Sequence, residues 1–261
     1  MTPDGPWLLA STVGLAASLL LAIATWVASQ PLRDVSIVDA AWSALVLVPA
    51  LVVAMLVPQG GARTGPVLLV AGAWALRLAA YIVFRRRGDG EDARYQAMRR
   101  HNEPYFRWKS LYLVFGLQAA LAWIVSLPLM AAVSSPRPWG ALDAIGLALA
   151  SYGLVYEAVA DAQLARFKAN PAERGRVMDR GLWRYSRHPN YFGECCMWWG
   201  LWLVAASAGA WWTIPSPLLM TLLLLRVSGV ALLESTIGQR RPDYADYARR
   251  TNAFIPGFPR A

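Results

Sequence analysis

Residues 181–194 read GLWRYSRHPNYFGE, set between apolar segments at about 141–165 and 191–210 that are long enough to cross a membrane. Within this stretch Arg184, Arg187, His188, Asn190 and Glu194 alternate with Trp183, Tyr185, Tyr191 and Phe192. A hydrocarbon phase tolerates few such groups, so something other than lipid must meet them.

Reading outward, the chain carries seven apolar segments, roughly 7–28, 37–57, 66–84, 111–133, 141–165, 191–210 and 214–235. Its apolar share of 57% exceeds the roughly 45–50% of soluble domains. The expectation is an all-α polytopic integral membrane protein, one membrane domain over residues 1–261 with seven transmembrane helices. No internal repeat relates the segments, which weighs against a transporter built of duplicated halves. The N-terminus lacks a basic n-region and its first apolar run is too long for an h-region, so no cleavable signal peptide is expected.

Basic residues orient the bundle. With the N-terminus outside, the cytoplasmic connections and C-terminal tail hold 21 Lys and Arg, whereas the outer connections hold only Arg63 and Arg137. That asymmetry fits an odd number of spans with the C-terminus cytoplasmic. It also absorbs the net charge of +9, leaving little reason to invoke nucleic acid. Cys195 and Cys196 are neighbours in an apolar run, a spacing suited to neither an ordinary disulfide nor a metal site, and they read as buried thiols. The cytoplasmic loops 85–110, 166–190 and 237–261 mix Arg with Tyr, Asn, His and acids, and together they are expected to form a polar cap.

Ionisable groups inside the spans narrow the search: Asp39, Arg77, Glu157, Asp161, Glu194, Arg226 and Glu234. Each costs at least about 2.5–3.5 kcal/mol near a bilayer centre, so they should face a polar cavity or one another. Glu157, Asp161, Leu164 and Lys168 follow i, i+4, i+7 and i+11 on one helical stripe, as Trp74, Arg77 and Tyr81 do on the third span. Interhelical salt bridges would account for some members. Many arginines beside carboxylates and rings also suit a dinucleotide phosphate: guanidinium groups grip phosphates, carboxylates accept from ribose hydroxyls, and an Asn pairs with an amide. No GxGxxG follows a strand-like run, so the membrane domain itself would have to bind it.

GLWRYSRHPNYFGECCMWWG, the later LLESTIGQRRPDYADYARRTNAFIPGF and the earlier SIVDAAWS and EDARY resemble the bacterial branch of the steroid 5-alpha-reductase family, over about residues 34–258. The resemblance implies a seven-helix reductase of a bacterial inner membrane that uses NADPH from the cytoplasmic side. Its cofactor contacts would fall on Arg77, Arg86, Arg87, Asp161, Lys168, Asn190, Glu194 and Arg240, and Arg184, Tyr185, Arg187, His188, Tyr191, Arg241, Tyr244 and Tyr247 join them as residues of the expected polar cap. Of the loop residues, Arg187 and Asn190 are favoured over His188. No metal is implied, and the partners expected are a lipophilic small molecule and membrane lipid.

One departure stands out. Animal steroid reductases hold the substrate carbonyl with a Glu on the second helix and a Tyr on the third. Val46 and Leu47 lie nearest the first position here, and Trp74 about where the Tyr would be. Asp39 and Tyr81 are the available substitutes, expected to polarise the carbonyl of a conjugated enone while hydride adds to its β-carbon.

The runner-up is an S-adenosylmethionine-dependent methyltransferase of the isoprenylcysteine type, which shares Arg-His-Pro-x-Tyr. Those enzymes tend to carry paired glutamates where this chain has Glu234 alone before RRPDYADY. A non-enzymatic transporter or lipid-binding protein would need polar groups on both sides, and the outer side has few.

Overall fold

The computed structural model of the chain describes residues 3–57, 61–227, 234 and 243–260. Among these every regular element is helical and none is a strand. In order they include α1 (Gly5–Leu32), α2 (Ile37–Leu56), α3 (Thr64–Arg85), α4 (Ala93–Asn102), α5 (Phe106–Val133, π-helical over Leu111–Gly116), α6 (Ala141–Ala169), α7 (Pro189–Ser207), α8 (Pro215–Leu222, continued by a π-helical turn Leu223–Val227) and α9 (Tyr244–Arg250). Helices α1, α2, α3, α5 and α6 are long and apolar enough to cross a membrane, which marks a membrane protein. The first five expected segments fall on these five helices. The expected sixth falls on α7, and the seventh begins on α8 and runs into residues outside those described. By contacts the chain divides into two compact units, residues 1–143 with 204–216 and residues 144–203 with 217–261.

In the first unit, local sequence sets the ends of α1. Asp4 caps its start by accepting from the Trp7 N–H at 2.9 Å, and Arg33 ends it in the left-handed region at φ 49°. Leu9, Leu20, Val27 and Leu32 point outward, fully apolar and exposed, as suits a lipid-facing surface. Ala10, Gly14, Ser18 and Ala22, spaced by four, form the buried seam. A methyl group added at Gly14 would lie 3.0 Å from the Pro49 Cα, so α1 and α2 approach as closely as small residues permit. Ser18 Oγ donates to the Leu45 carbonyl at 3.0 Å, and Ser43 Oγ to the Ala75 carbonyl at 2.9 Å. Helix α5, packed against α1, α2 and α3, buries Val125 and the run Leu129–Val133 at the centre.

One end of this unit is tied by an ion pair. Arg63, assigned by its sequence position to an outer loop, is fully buried with Asp143. Its Nε and Nη2 donate to the two carboxylate oxygens at 2.7 and 2.8 Å. Nη1 donates to the Arg137 carbonyl at 2.5 Å and Nη2 to the Pro138 carbonyl at 2.9 Å. Ser207 Oγ and the Gly140 N–H donate to Asp143 Oδ2 at 2.5 and 2.8 Å.

In the second unit α6 and α7 cross at a glycine seam. Methyl groups added at Gly153, Gly193 or Gly200 would each meet backbone atoms of the facing helix at sub-contact distance. Gly146, Ala150, Gly153 and Glu157 of α6 thus face Gly193, Met197 and Gly200 of α7, with spacings of three and four on both sides.

Candidate functional site

The second unit builds its polar end around residues 181–194. Gly181 takes φ +61°, and the space a Cβ would need is filled by Gln163, whose Oε1 accepts from the Leu182 N–H at 2.9 Å. A 3₁₀ turn over Gly181–Arg184 then sets Trp183 against Phe167, Met178 and Leu164, with its Nε1 donating to the Ala160 carbonyl at 3.0 Å. The C-terminal segment closes over this turn. Tyr247 OH donates to the Trp183 carbonyl at 2.5 Å, Ser186 Oγ to the Phe254 carbonyl at 2.7 Å and the Arg187 N–H to the Asn252 carbonyl at 2.8 Å.

Arg187 is the buckle of that closure. Its Nε and Nη2 engage Glu234 at 2.8 and 3.0 Å, and Nη1 donates to the Ala248 and Thr251 carbonyls at 2.8 and 2.9 Å. Four of its five N–H donors are thereby committed. Burial opposes its charge, but the Glu234 carboxylate outweighs burial and holds its pKa above the usual value. His188, buried and stacked on Tyr191 with centroids 5.6 Å apart, places Nε2 at 3.1 Å from Glu234. Burial, aided by the nearby Arg187 charge, keeps its pKa below the ordinary imidazole value despite Glu234. Burial also pushes the Tyr244 phenol up to about 12 and raises Tyr247 further. Arg187, His188, Tyr244 and Tyr247 therefore support the loop from within.

Asn190 is placed differently. Its Nδ2 donates to Oδ1 of the buried Asp161 at 3.1 Å. A carboxylate oxygen accepts, so this bond fixes which way the amide faces. The opposite atom, Asn190 Oδ1, is buried and has no hydrogen-bond partner among the described residues. Arg184 and Lys168 are exposed. Tyr185 is partly exposed with its ring edge-on to Phe258, and Glu194 is buried on the second turn of α7. Arg240 and Arg241 lie outside the described residues.

The first unit holds a second polar cluster, where SIVDAAWS meets EDARY. Asp39, in the first turn of α2, accepts from Arg94 Nη2 at 2.7 Å and from Tyr95 OH at 2.6 Å. Gln118 Nε2 donates to the Tyr95 hydroxyl at 3.1 Å. Ser36 Oγ accepts from the Asp92 N–H at 3.1 Å. Asp92 caps α4 by accepting from the Arg94 N–H at 2.9 Å. Burial pushes the Tyr95 phenol well above its ordinary pKa, and the adjacent Asp39 charge pushes it the same way. Burial tends to raise Asp92, yet the bonds from Arg94 hold it below the usual carboxylate range. Tyr81 is half-buried with the Arg85 guanidinium 5.4 Å from its ring centroid, and Trp74 is fully buried. Arg77 is half-buried on α3. Arg86 pairs with Asp34 at 3.5 Å and donates to the Gly90 carbonyl at 2.8 Å, and Arg87 lies 4.2 Å from the Phe84 ring centroid.

Tyr95, Arg94 and Gln118 carry no role in the sequence reading, although EDARY was singled out. The spacing of Arg94 and Tyr95 gives no hint that both reach Asp39, which lies more than fifty residues earlier. Among the described residues no group of three His, Cys, Asp or Glu side chains is arranged to hold a metal ion.

Neither a curated protein nor a solved structure matches the chain. Residues 25–251, which take in both polar clusters, match the family described as "Protein of unknown function (DUF1295)", and the chain belongs to that family.

Proposed function

We propose that the chain is an NADPH-dependent membrane reductase acting on a carbon–carbon double bond conjugated to a carbonyl in a lipophilic, steroid-like substrate. The proposal includes a seven-helix bundle with its N-terminus outside and its cofactor site facing the cytoplasm, as the 21-to-2 division of basic residues favours. The motif resemblance and the relation of the matched family to steroid 5-alpha-reductases support it.

The observation that carries the reading is the amide of Asn190. Its Nδ2 is held by Asp161, and its buried Oδ1 has no donor among the described residues. A buried acceptor left open costs about 1–3 kcal/mol, and the NH₂ of a carboxamide fills it. The nicotinamide ring carries such a group, so the residues present fit the cofactor. Asp161 would orient Asn190, while Arg184 and Lys168 would supply charge to phosphates. The bound cofactor would supply hydride to the β-carbon.

The chain's own task is to stabilise charge growing on the carbonyl oxygen. Asp39 already accepts two hydrogen bonds, one of them from the Tyr95 hydroxyl, so the direct donor is assigned to the neutral phenol of Tyr81. Asp39 and Tyr95, bonded to each other, are positioning residues.

Thermal unfolding of the detergent-solubilised chain with NADPH, NADH or S-adenosylmethionine tests the proposal. NADPH should stabilise the wild type and Arg137→Ala, and fail to stabilise Asn190→Ala. Stabilisation by S-adenosylmethionine without any by NADPH would replace the reductase with the methyltransferase. Asp39→Asn, Tyr81→Phe and Tyr95→Phe are read by single-turnover hydride transfer in variants that still bind NADPH. Full transfer in all three would refute the polarising assignment.

A further inference from the structure

A cavity of about 860 Å³ opens in the first unit, lined by Ser29 and Arg33 at the end of α1, Arg99 of α4, and Phe106, Arg107 and Ser110 at the start of α5. That volume lies within the roughly 300–1,000 Å³ of small-ligand sites. The cavity owes nothing to Asp39, Tyr81 or Asn190.

Charge and depth define what fits it. Three arginines line it against one carboxylate, Glu103. Glu91 holds Arg99 in place by accepting from Nε at 2.9 Å and Nη2 at 2.7 Å. The guanidinium lies 4.7 Å from the Phe106 ring centroid, and Nη1 remains without a partner among the described residues. Arg33 and Arg107 form no ion pair among the described residues. The lining is therefore net basic and partly pre-organised.

Depth follows from the helices. Both α1 and α5 are apolar enough to cross a membrane, and the cavity lies where one ends and the other begins. Trp26 Nε1 donates to the Arg107 carbonyl at 3.0 Å, and the Trp26 and Trp108 rings stand 5.4 Å apart, fixing the two ends together. Tyr105, Trp108 and Tyr112 are 66%, 60% and 61% exposed. Exposed Tyr and Trp at the end of an apolar helix mark the headgroup level of a bilayer. An anion delivered to a basic cavity at that level is the phosphate of a lipid.

We propose that this cavity binds the phosphate headgroup of an anionic phospholipid, with Arg33, Arg99 and Arg107 as its charge contacts. The full chain, released from nanodiscs of phosphatidylcholine doped with phosphatidylglycerol, is weighed by native mass spectrometry. The wild type and Arg137→Gln should retain phosphatidylglycerol over phosphatidylcholine. The double variant Arg33→Gln/Arg107→Gln should bind it roughly thirtyfold more weakly, as expected from two juxtamembrane arginines. Equal retention by the double variant overturns the assignment. A shift of the wild-type melting temperature by inorganic phosphate or glycerol phosphate, equal to that from phosphatidylglycerol, overturns it in favour of a soluble phosphate. Should the double variant melt below the wild type in pure phosphatidylcholine, the wild type alone decides. Its phosphatidylglycerol retention should fall when salt is raised about tenfold, and no fall refutes the site.

Discussion

Removing one member of the Arg63–Asp143 pair should be among the most damaging single changes in the first unit. Both side chains are 0% exposed, so Arg63→Met leaves a buried carboxylate with no counter-charge, and Asp143→Leu strands a guanidinium there. Breaking a buried pair in this way costs about 3–5 kcal/mol. For a chain of this size about 2–4 °C of melting temperature corresponds to each kcal/mol, so each variant should melt roughly 6–20 °C lower. Arg63→Met/Asp143→Leu removes both charges at similar volume and should recover more than half of that loss. Full recovery is not expected, because the Arg137 and Pro138 carbonyls lose the donors they take from Arg63. The assay is size-exclusion chromatography of the detergent-solubilised chain after heating, with the four proteins forming a double-mutant cycle. Single variants within about 2 °C of the wild type, on the scale above, or a double variant that loses the sum of the two singles, would refute the reasoning.

Two further outcomes follow from the second unit. Gly193→Ala forces a methyl group against the backbone at Glu157 and should cost about 1–3 kcal/mol as overpacking. Gly72→Ala, in α3 with nothing within 4 Å of the added methyl, should be neutral or stabilising by about 0.5–1 kcal/mol. Matching melting shifts for the two would deny the tight seam. For pH, His188 is held below its unfolded value of 6.5, so near and below that value the unfolded chain binds more protons. Its contribution is intact above about pH 6.5 and is lost as pH falls toward the folded value. His188→Gln, which keeps a donor for Glu234 but does not titrate, should lose less melting temperature between neutral and mildly acidic pH. Parallel pH profiles for the two proteins would show that His188 is not the group responsible.

Apolar runs were the most legible feature of the sequence. Five of them fall on long helices because a span must satisfy its backbone internally, and composition reports that directly. Asp143 and Arg63 were not legible as partners. Eighty residues separate them, and a basic residue beside turn formers reads as a solvated loop. Only the chain's path, which folds residues 134–140 back over Arg63 through its bonds to the Arg137 and Pro138 carbonyls, turns that loop into a buried clamp. The glycine seam had a similar status. Gly193 stands in the sequence as a small residue of the 181–194 stretch, whereas its position is fixed by contact with the α6 backbone at Glu157.

The polar residues divide by how many of their hydrogen bonds the fold consumes. Arg187 looked like a phosphate ligand because guanidinium groups suit phosphates, yet four of its donors go to Glu234 and to two carbonyls of the C-terminal segment. Side-chain chemistry alone cannot separate a ligand contact from a buckle, since both require the same donors. Asn190 differs in one atom: its donor side is engaged and its acceptor side has no partner among the described residues. Asp39 shows the converse, since both of its oxygens are engaged, which moves any direct donation to a phenol. The RHPNY loop thus joins two functions in adjacent residues. Arg187 and His188 anchor it to Glu234, and that anchorage holds the next polar residue, Asn190, at the first turn of α7 with its open oxygen fixed. Substitution at Arg187 should therefore disturb the loop whether or not a ligand is present, whereas substitution at Asn190, beyond the cost of its lost bond to Asp161, should remove the added stabilisation that a carboxamide-bearing ligand gives.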